Sequence, residues 1–464
     1  MLRALLVSTY DLGHQPFGLA SPAAWLAREG CEVSCLDLSK QKLDETQLAS
    51  ADLIAFHLPM HTATRMAAPV IRKAQALNPS ARLAAYGLYA PLNADWLRTL
   101  GVQHVFGGEY EADLAALARA LATAPAGDPV LPAAPPAVSL AKLTFLTPDR
   151  SGLPPLDRYA TLRVADGSTR IAGYTEASRG CRHLCRHCPV VPVYGGQFRV
   201  VQADVVLADI DAQVAAGAQH ITFGDPDFFN GPTHATRIVE RLHERHPSLT
   251  YDVTIKVEHL LKQRALLPLL RDTGCLFVTS AVESIDDRVL AILDKGHTRA
   301  DFEEAVALCR TLDLTLVPTF VPFHPWMSLD DYCDLLDTLL RLELVDHMPP
   351  IQLAIRLLVP SGSRLLELPD VRALAGVFDP TTLTHRWEHP DPRVDALQAD
   401  VSSLVGRRLT SHRRELFQAI AELAFERAGR PAPSLAAAPP REVPQFDEPW
   451  YCCAEPNPEQ LTLV

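Results

Sequence analysis

The stretch Cys181-Arg182-His183-Leu184-Cys185-Arg186-His187-Cys188 carries three thiols in a C-x3-C-x2-C spacing. Three thiolates on one tight loop can hold three irons of a cubane cluster and leave the fourth iron without a protein ligand. An iron left open can bind a molecule other than protein. That distinguishes a cluster that does chemistry from one that only relays electrons. The same triplet also suits a zinc knuckle, with His183 or His187 as fourth ligand. A second pair of thiols stands in Trp450-Tyr451-Cys452-Cys453-Ala454-Glu455-Pro456. Adjacent cysteines form only a strained disulfide; reduced, they chelate a soft ion or act as a nucleophile. The other cysteines, Cys31, Cys35, Cys275, Cys309 and Cys333, fall within expected strands and helices and read as packing residues.

These groups need a frame to converge. Around and after the cysteine triplet, strands are expected over 171–175, 220–224, 251–256, 276–281, 315–320 and 351–357. Helical periods lie between them at 203–216, 235–246, 259–273, 299–312 and 329–340. Six strands alternating with helices imply a partial (β/α)6 barrel of the TIM type, with chemistry gathered at the carboxyl ends of its strands. The cysteine loop follows the first strand. Asp225 and Asp227 follow the second, Lys256 ends the third, and Glu283 and Ser284 follow the fourth. Asp225 and Asp227 also suit a plain Asx-Pro turn, and Lys256 a solvated lysine.

The first part alternates in the same way, with short apolar strands over 4–8, 32–38, 53–57, 82–86 and 105–106. This pattern implies a doubly wound, Rossmann-like parallel sheet whose ligands lie beyond the strand ends. The expected organisation is a Rossmann-like domain at 1–124, a linker at 125–160 and the barrel at 161–370. A helical extension at 371–430 and a flexible tail at 431–464 follow.

The triplet, with Gly224-Asp225-Pro226-Asp227, Val282-Glu283-Ser284 and Lys295-Gly296 downstream, resembles the radical S-adenosylmethionine (radical SAM) superfamily. The resemblance implies a 4Fe-4S cluster on Cys181, Cys185 and Cys188, with the open iron chelating S-adenosylmethionine. One electron from the cluster then cleaves the sulfonium. It further implies Asp225, then Asp227, near the cofactor's amino group and Lys256 toward its carboxylate. Glu283 and Ser284 would meet the ribose or order the pocket. His187 stands where the family usually has an aromatic residue near the adenine, a mild departure. An electron donor such as flavodoxin or ferredoxin and a small-molecule substrate belong to the same expectation.

Upstream, Arg28-Glu29-Gly30, Val33-Ser34-Cys35-Leu36-Asp37, Tyr86-Gly87 and Gly107-Gly108-Glu109-Tyr110-Glu111 resemble the cobalamin-binding domain that precedes many such cores. The run Asp11-Leu12-Gly13-His14 lacks the D-x-H-x-x-G motif, so no cobalt ligand is assigned and His14 reads as a plain loop histidine. Cobalamin and a purely structural domain both remain open. The tail resembles a radical SAM group ending in Cys-Cys-Ala-Glu-Pro, or in its selenocysteine version (CUAEP/CCAEP), where selenium replaces the position of Cys453. That resemblance points to Cys452 and Cys453 as catalytic thiols for a thiophilic or metalloid substrate, trivalent arsenic among them, with aminocarboxypropyl transfer as one route. Cobalamin-dependent methylation is the alternative; a non-catalytic iron–sulfur or zinc sensor is the alternative of another class.

The chain has 464 residues, a net charge of −12 and no basic block, so no nucleic-acid track is evident. No apolar run reaches membrane-spanning length, and the opening apolar run is too short for a signal peptide. Ten cysteines in so long a chain are not a disulfide framework, and a reducing cytoplasm is expected.

Overall fold

The computed structural model describes residues 1–123, 137–409, 411–435, 440–449, 454–456 and 460–461. Two parallel sheets dominate. The first contains β1 (Arg3–Ser8), β2 (Glu32–Asp37), β3 (Leu53–His57), β4 (Arg82–Tyr86), β5 (His104–Gly108) and β6 (Ala137–Ser139), in the order β2-β1-β3-β4-β5-β6. Its strands read as unbroken apolar runs because both faces are covered. Leu5, Val7, Ile54 and Phe56 enter one core. Ala4, Leu6, Leu53 and Ala55 enter the other. The expected linker, 125–160, contains a strand of the first sheet, Ala137–Ser139. It then straps the domains together: Asp149 N donates to Ala20 O, Ala160 N to Gly13 O, and Tyr159 Oη to Asp37 at 2.7 Å.

The second sheet is a curled half-barrel. It comprises β7 (Thr161–Arg163), β8 (Thr169–Thr175), β11 (His220–Phe223), β12 (Thr250–Thr254), β13 (Cys275–Glu283) and β14 (Thr315–Phe320). A two-stranded ribbon, β9 (Ser178–Gly180) with β10 (Phe198–Val200), interrupts the crossover after β8. The strands β8, β11, β12, β13 and β14 are parallel, and β7 pairs antiparallel with β8.

The sixth barrel strand, expected over 351–357, is reduced to a 3-10 turn, Pro350–Leu353, and one bridge between Phe323 and Arg356. Pro349 and Pro350 lack the N–H groups a ladder needs, and the Gln352 side chain accepts from Phe320 N in its place. The helix expected over 259–273 is likewise split into Val257–Lys262 and Leu267–Asp272, with Pro268 in the first turn of the second.

The C-terminal extension adds a small ribbon of β15 (Phe378–Asp379) and β16 (Thr384–His385) and two helices, Pro392–Arg407 and Arg413–Arg427. Leu397, Val401, Phe417 and Ile420 bury the helices in the barrel's outer core. In the stretch read as a flexible tail, β17 (Gln445–Phe446) pairs antiparallel with β7. Asp447 accepts from Thr161 N and Oγ1. Ala454 is buried, and its carbonyl accepts from Thr62 at 2.9 Å. Cys452 and Cys453 lie outside the described residues. No described helix is long and apolar enough to cross a membrane.

Candidate active site at the facing strand ends

The cysteine loop hangs from the β9–β10 ribbon. Gly180 opens it with φ at 75°, and an added Cβ there would lie 2.5 Å from Gln197 O and 2.4 Å from the Tyr194 ring. Only glycine meets both demands. Asn230, fully buried, accepts from Arg182 N at 3.1 Å and approaches Cys181 Sγ at 3.8 Å. Arg186 ties the loop's far side to Ile292 O at 2.6 Å, and Arg364 donates to Leu184 O at 2.8 Å. Cys185 is buried, Cys181 and Cys188 are half-buried, and all three are free thiols. Burial pushes Cys188 up to about 12, and the neighbouring Cys185 and Cys181 add to the rise. Burial and the nearby Asp227 and Cys185 also raise Cys181. Three soft donors crowded enough to oppose one another's ionisation fit a thiophilic metal centre, whose positive charge reverses that opposition.

Lys295 supplies positive charge beside the loop. It is 3% exposed and lies close enough to Cys185 and Cys188 to interact with both. Its Nζ donates to Glu283 Oε1 at 3.3 Å, and His187 Nε2 is 3.1 Å from the same oxygen. Burial alone would raise Glu283; Lys295 and then His187 outweigh it and hold the carboxyl at about 2. Glu283 therefore joins the cysteine loop to the fourth strand. Ser284 Oγ accepts from Asp286 N at 3.1 Å, and both residues line a side cleft of about 320 Å³.

Asp225 spends both carboxylate oxygens locally, accepting from Ala177 N at 2.9 Å and Ser178 Oγ at 2.5 Å. Burial pushes it up to about 7. Asp227 accepts from Phe229 N through Oδ1 and turns Oδ2 toward His183 and His259. Lys256 donates to His183 Nδ1 at 2.9 Å and to Glu258 at 3.2 Å. Arg356 packs over Trp387, 3.6 Å from the ring centre, and pairs with Asp395, a structural use.

A cavity of about 460 Å³ opens between the strand ends of the two sheets. His57, Gly87 and Tyr110 line it from the first domain, and Glu176, Arg179 and Asp225 from the barrel. Gly180, Val190 and Tyr194, which bracket the cysteine loop, line it too. So do Thr254, Thr279 and Thr319, inward-facing hydroxyls on three neighbouring strands. Thr319 was expected at the end of the fifth strand, whereas Thr254 and Thr279 were not singled out; their signal was a polar residue recurring within apolar strands. Arg179 is 6% exposed and holds two carboxylates of the first domain, Glu111 at 2.6 Å and Glu109 at 3.5 Å, together with Glu176 at 2.6 Å.

His14 packs against Tyr174 and Phe446, with ring centres 4.9 Å and 5.5 Å away. His57 closes on Gly18, where an added Cβ would lie 2.1 Å from the imidazole. Both histidines line the cavity, and neither is assigned as a cobalt ligand.

Comparison with known proteins fits this geometry. Residues 175–339 match the Radical SAM superfamily. Ribosomal protein uS12 methylthiotransferase RimO of Desulfotalea psychrophila is 24% identical over 185 residues, 38% of this chain and 41% of that protein. Hopanoid C-2 methylase of Rhodopseudomonas palustris is 22% identical over 162 residues, 34% of this chain and 30% of that protein. The chain thus spans less than half the length of these curated relatives. Among solved structures, the radical SAM methyltransferase TsrM from Kitasatospora setae, with cobalamin and a [4Fe-4S] cluster bound, superposes with a TM-score of 0.64. It is 16% identical, over 92% of this chain and 89% of that one. The cobalamin-dependent radical SAM enzyme OxsB, with aqua-cobalamin bound, gives 0.65 at 13% identity, over 92% of this chain and 72% of that one. Both likenesses are of fold, and they extend across the two sheets together.

Proposed function

We propose that the chain, whose residues 175–339 match the Radical SAM superfamily, is an enzyme that holds a 4Fe-4S cluster on Cys181, Cys185 and Cys188 and starts radical chemistry on a small molecule between its two sheets. The observation that carries this reading is that the residues bracketing the cysteine loop also line the cavity between the two sets of strand ends. When bound, the cluster supplies the electron that splits the sulfonium of S-adenosylmethionine. The chain's own residues arrange the site around it. Glu283, ionised at neutral pH, couples His187 of the loop to Lys295. Asp225 fixes the turn from β8 into β9, and residues 224–226, which line the cavity, would hold the cofactor's amino-acid end. Lys256 is the cation nearest His183 for its carboxylate. A reduced flavodoxin or ferredoxin as electron donor, and a reducing cytoplasm, complete the reading.

Cobalamin-dependent methyl transfer is the second reading. The opposed strand ends favour it, as does a likeness over nine-tenths of the chain to two cobalamin-dependent enzymes. The tail thiols belong to either reading. Five residues separate Glu448, which lines the cavity and accepts from Tyr10 at 3.0 Å, from Ala454, held by Thr62. These anchors flank the Cys452–Cys453 pair in sequence, and the two thiols would take a thiophilic substrate such as trivalent arsenic.

Anaerobic reconstitution, dithionite reduction and product analysis test the proposal. The expected product is 5'-deoxyadenosine; S-adenosylhomocysteine would report methyl transfer, and methylthioadenosine the aminocarboxypropyl route. Protein carrying four irons that leaves S-adenosylmethionine intact overturns the enzyme in favour of a sensor. Serine at both Cys452 and Cys453 should leave cofactor cleavage intact and abolish product formation from the thiophilic substrate.

A further inference from the structure

We propose that His183, Asp227 and His259 form a site for one divalent first-row cation, separate from the three cysteines. The residues come from three elements. His183 sits in the cysteine loop, Asp227 follows β11, and His259 lies in the helix Val257–Lys262 after β12. One atom of each converges: His183 Nε2, Asp227 Oδ2 and His259 Nδ1 all lie within 4.8 Å of one another. Each is buried, and none makes a hydrogen bond of acceptable geometry. Asp227 is 1% exposed, and a carboxylate oxygen buried there without a well-formed hydrogen bond is costly.

A cation removes all three deficits at once. Ligand atoms of a tetrahedral ion with bonds of about 2.0 Å lie roughly 3.3 Å apart. The observed edges from Asp227 Oδ2, 2.7 Å to His259 and 3.7 Å to His183, straddle that value. Two imidazoles and one carboxylate suit zinc, cobalt(II) or iron(II), and three ligands leave a coordination position open. The second layer is also present. Metal ligation through Nε2 requires His183 to carry its proton on Nδ1, and Glu258 Oε2 lies 3.7 Å from that nitrogen, ready to accept it. Lys256, which now donates to the same Nδ1, retains Glu258 at 3.2 Å as its partner. The ion would pin the segment between Cys181 and Cys185 to the ends of the second and third barrel strands.

The test separates this site from the cluster. A full-length variant with Cys181, Cys185 and Cys188 all replaced by serine is titrated with cobalt(II). One equivalent should bind, with visible ligand-field bands. His259→Ala or Asp227→Asn in that background should abolish binding, and Glu258→Gln should weaken it about tenfold. A folded triple-serine protein that takes up no cobalt, or uptake unchanged by His259→Ala, overturns the proposal. It leaves a plain histidine–carboxylate contact in its place. If the triple variant does not fold, metal analysis of the iron-loaded chain decides. His259→Ala must lose one non-cluster metal equivalent while keeping its irons; equal metal contents overturn the site.

Discussion

Glu283 shows how much one residue carries. Its φ of 70° places a non-glycine side chain in the left-handed region, where the backbone cost is about 1–3 kcal/mol. The register between β13 and β14 slips at the same point. Such a bulge re-aims a side chain at the end of a strand, and here the carboxylate turns onto Lys295 and His187. The strain is offset by a buried ion pair. Because the folded carboxyl sits at about 2, below its ordinary 4.5, its contribution is complete above pH 4.5 and is lost as pH falls toward 2. Glu283→Gln should therefore cost about 3 kcal/mol at pH 7, since it strands Lys295. In urea titrations the gap from the parent protein should stay constant down to pH 4.5 and narrow below it. A gap that widens in acid would contradict the assignment.

At the scale of elements, the β9–β10 ribbon makes the cysteine loop a built object rather than a free loop. Its hinge is Gly180, boxed in by Gln197 O and Tyr194. Gly180→Ala should leave the circular dichroism near that of the parent and reduce iron per chain by more than half, because the loop can no longer leave the ribbon at its native angle. Iron analysis after reconstitution reads this directly. The strand β17 plays a comparable part on the far side of the barrel. Phe446 packs against Leu162, Val164 and Phe277 and touches the rings of His14 and His220. Truncating this half-buried ring should cost about 1–3 kcal/mol. It should also enlarge the cavity that Phe446 lines, measurable as increased binding of an apolar dye.

For the whole molecule, the central element is Arg179. It issues from the barrel's ribbon and is held by Glu109 and Glu111 of the first domain, with Phe17, Tyr110 and Phe145 around its guanidinium. Burial pushes Glu109 up to about 7, even with Arg179 opposing, so the cluster is short of positive charge. Arg179→Met would leave these carboxylates facing one another in a dry interface, at a cost of about 3–5 kcal/mol. Calorimetry should then show two separated unfolding transitions where the parent shows one. A single transition at an unchanged temperature would mean that the strap at 145–160 couples the domains without Arg179.

Two runs of alternating strands and helices and the cysteine triplet were legible in the chain itself. Apolar period and C-x3-C-x2-C spacing are local properties, and local chemistry sets them. Pro349 and Pro350 are local features as well, and they precede the 351–357 stretch where a strand was expected and a 3-10 turn formed. What the chain could not disclose were relations between distant segments. Asp225 and Asp227 are equivalent in sequence, but one is spent on Ala177 and Ser178 and the other faces two histidines. Arg179 meets Glu111, 68 residues earlier, and Phe446 closes a barrel begun nearly three hundred residues before it. Such pairings depend on how two curled sheets pack face to face, and packing is settled only when the whole chain has buried its apolar surface.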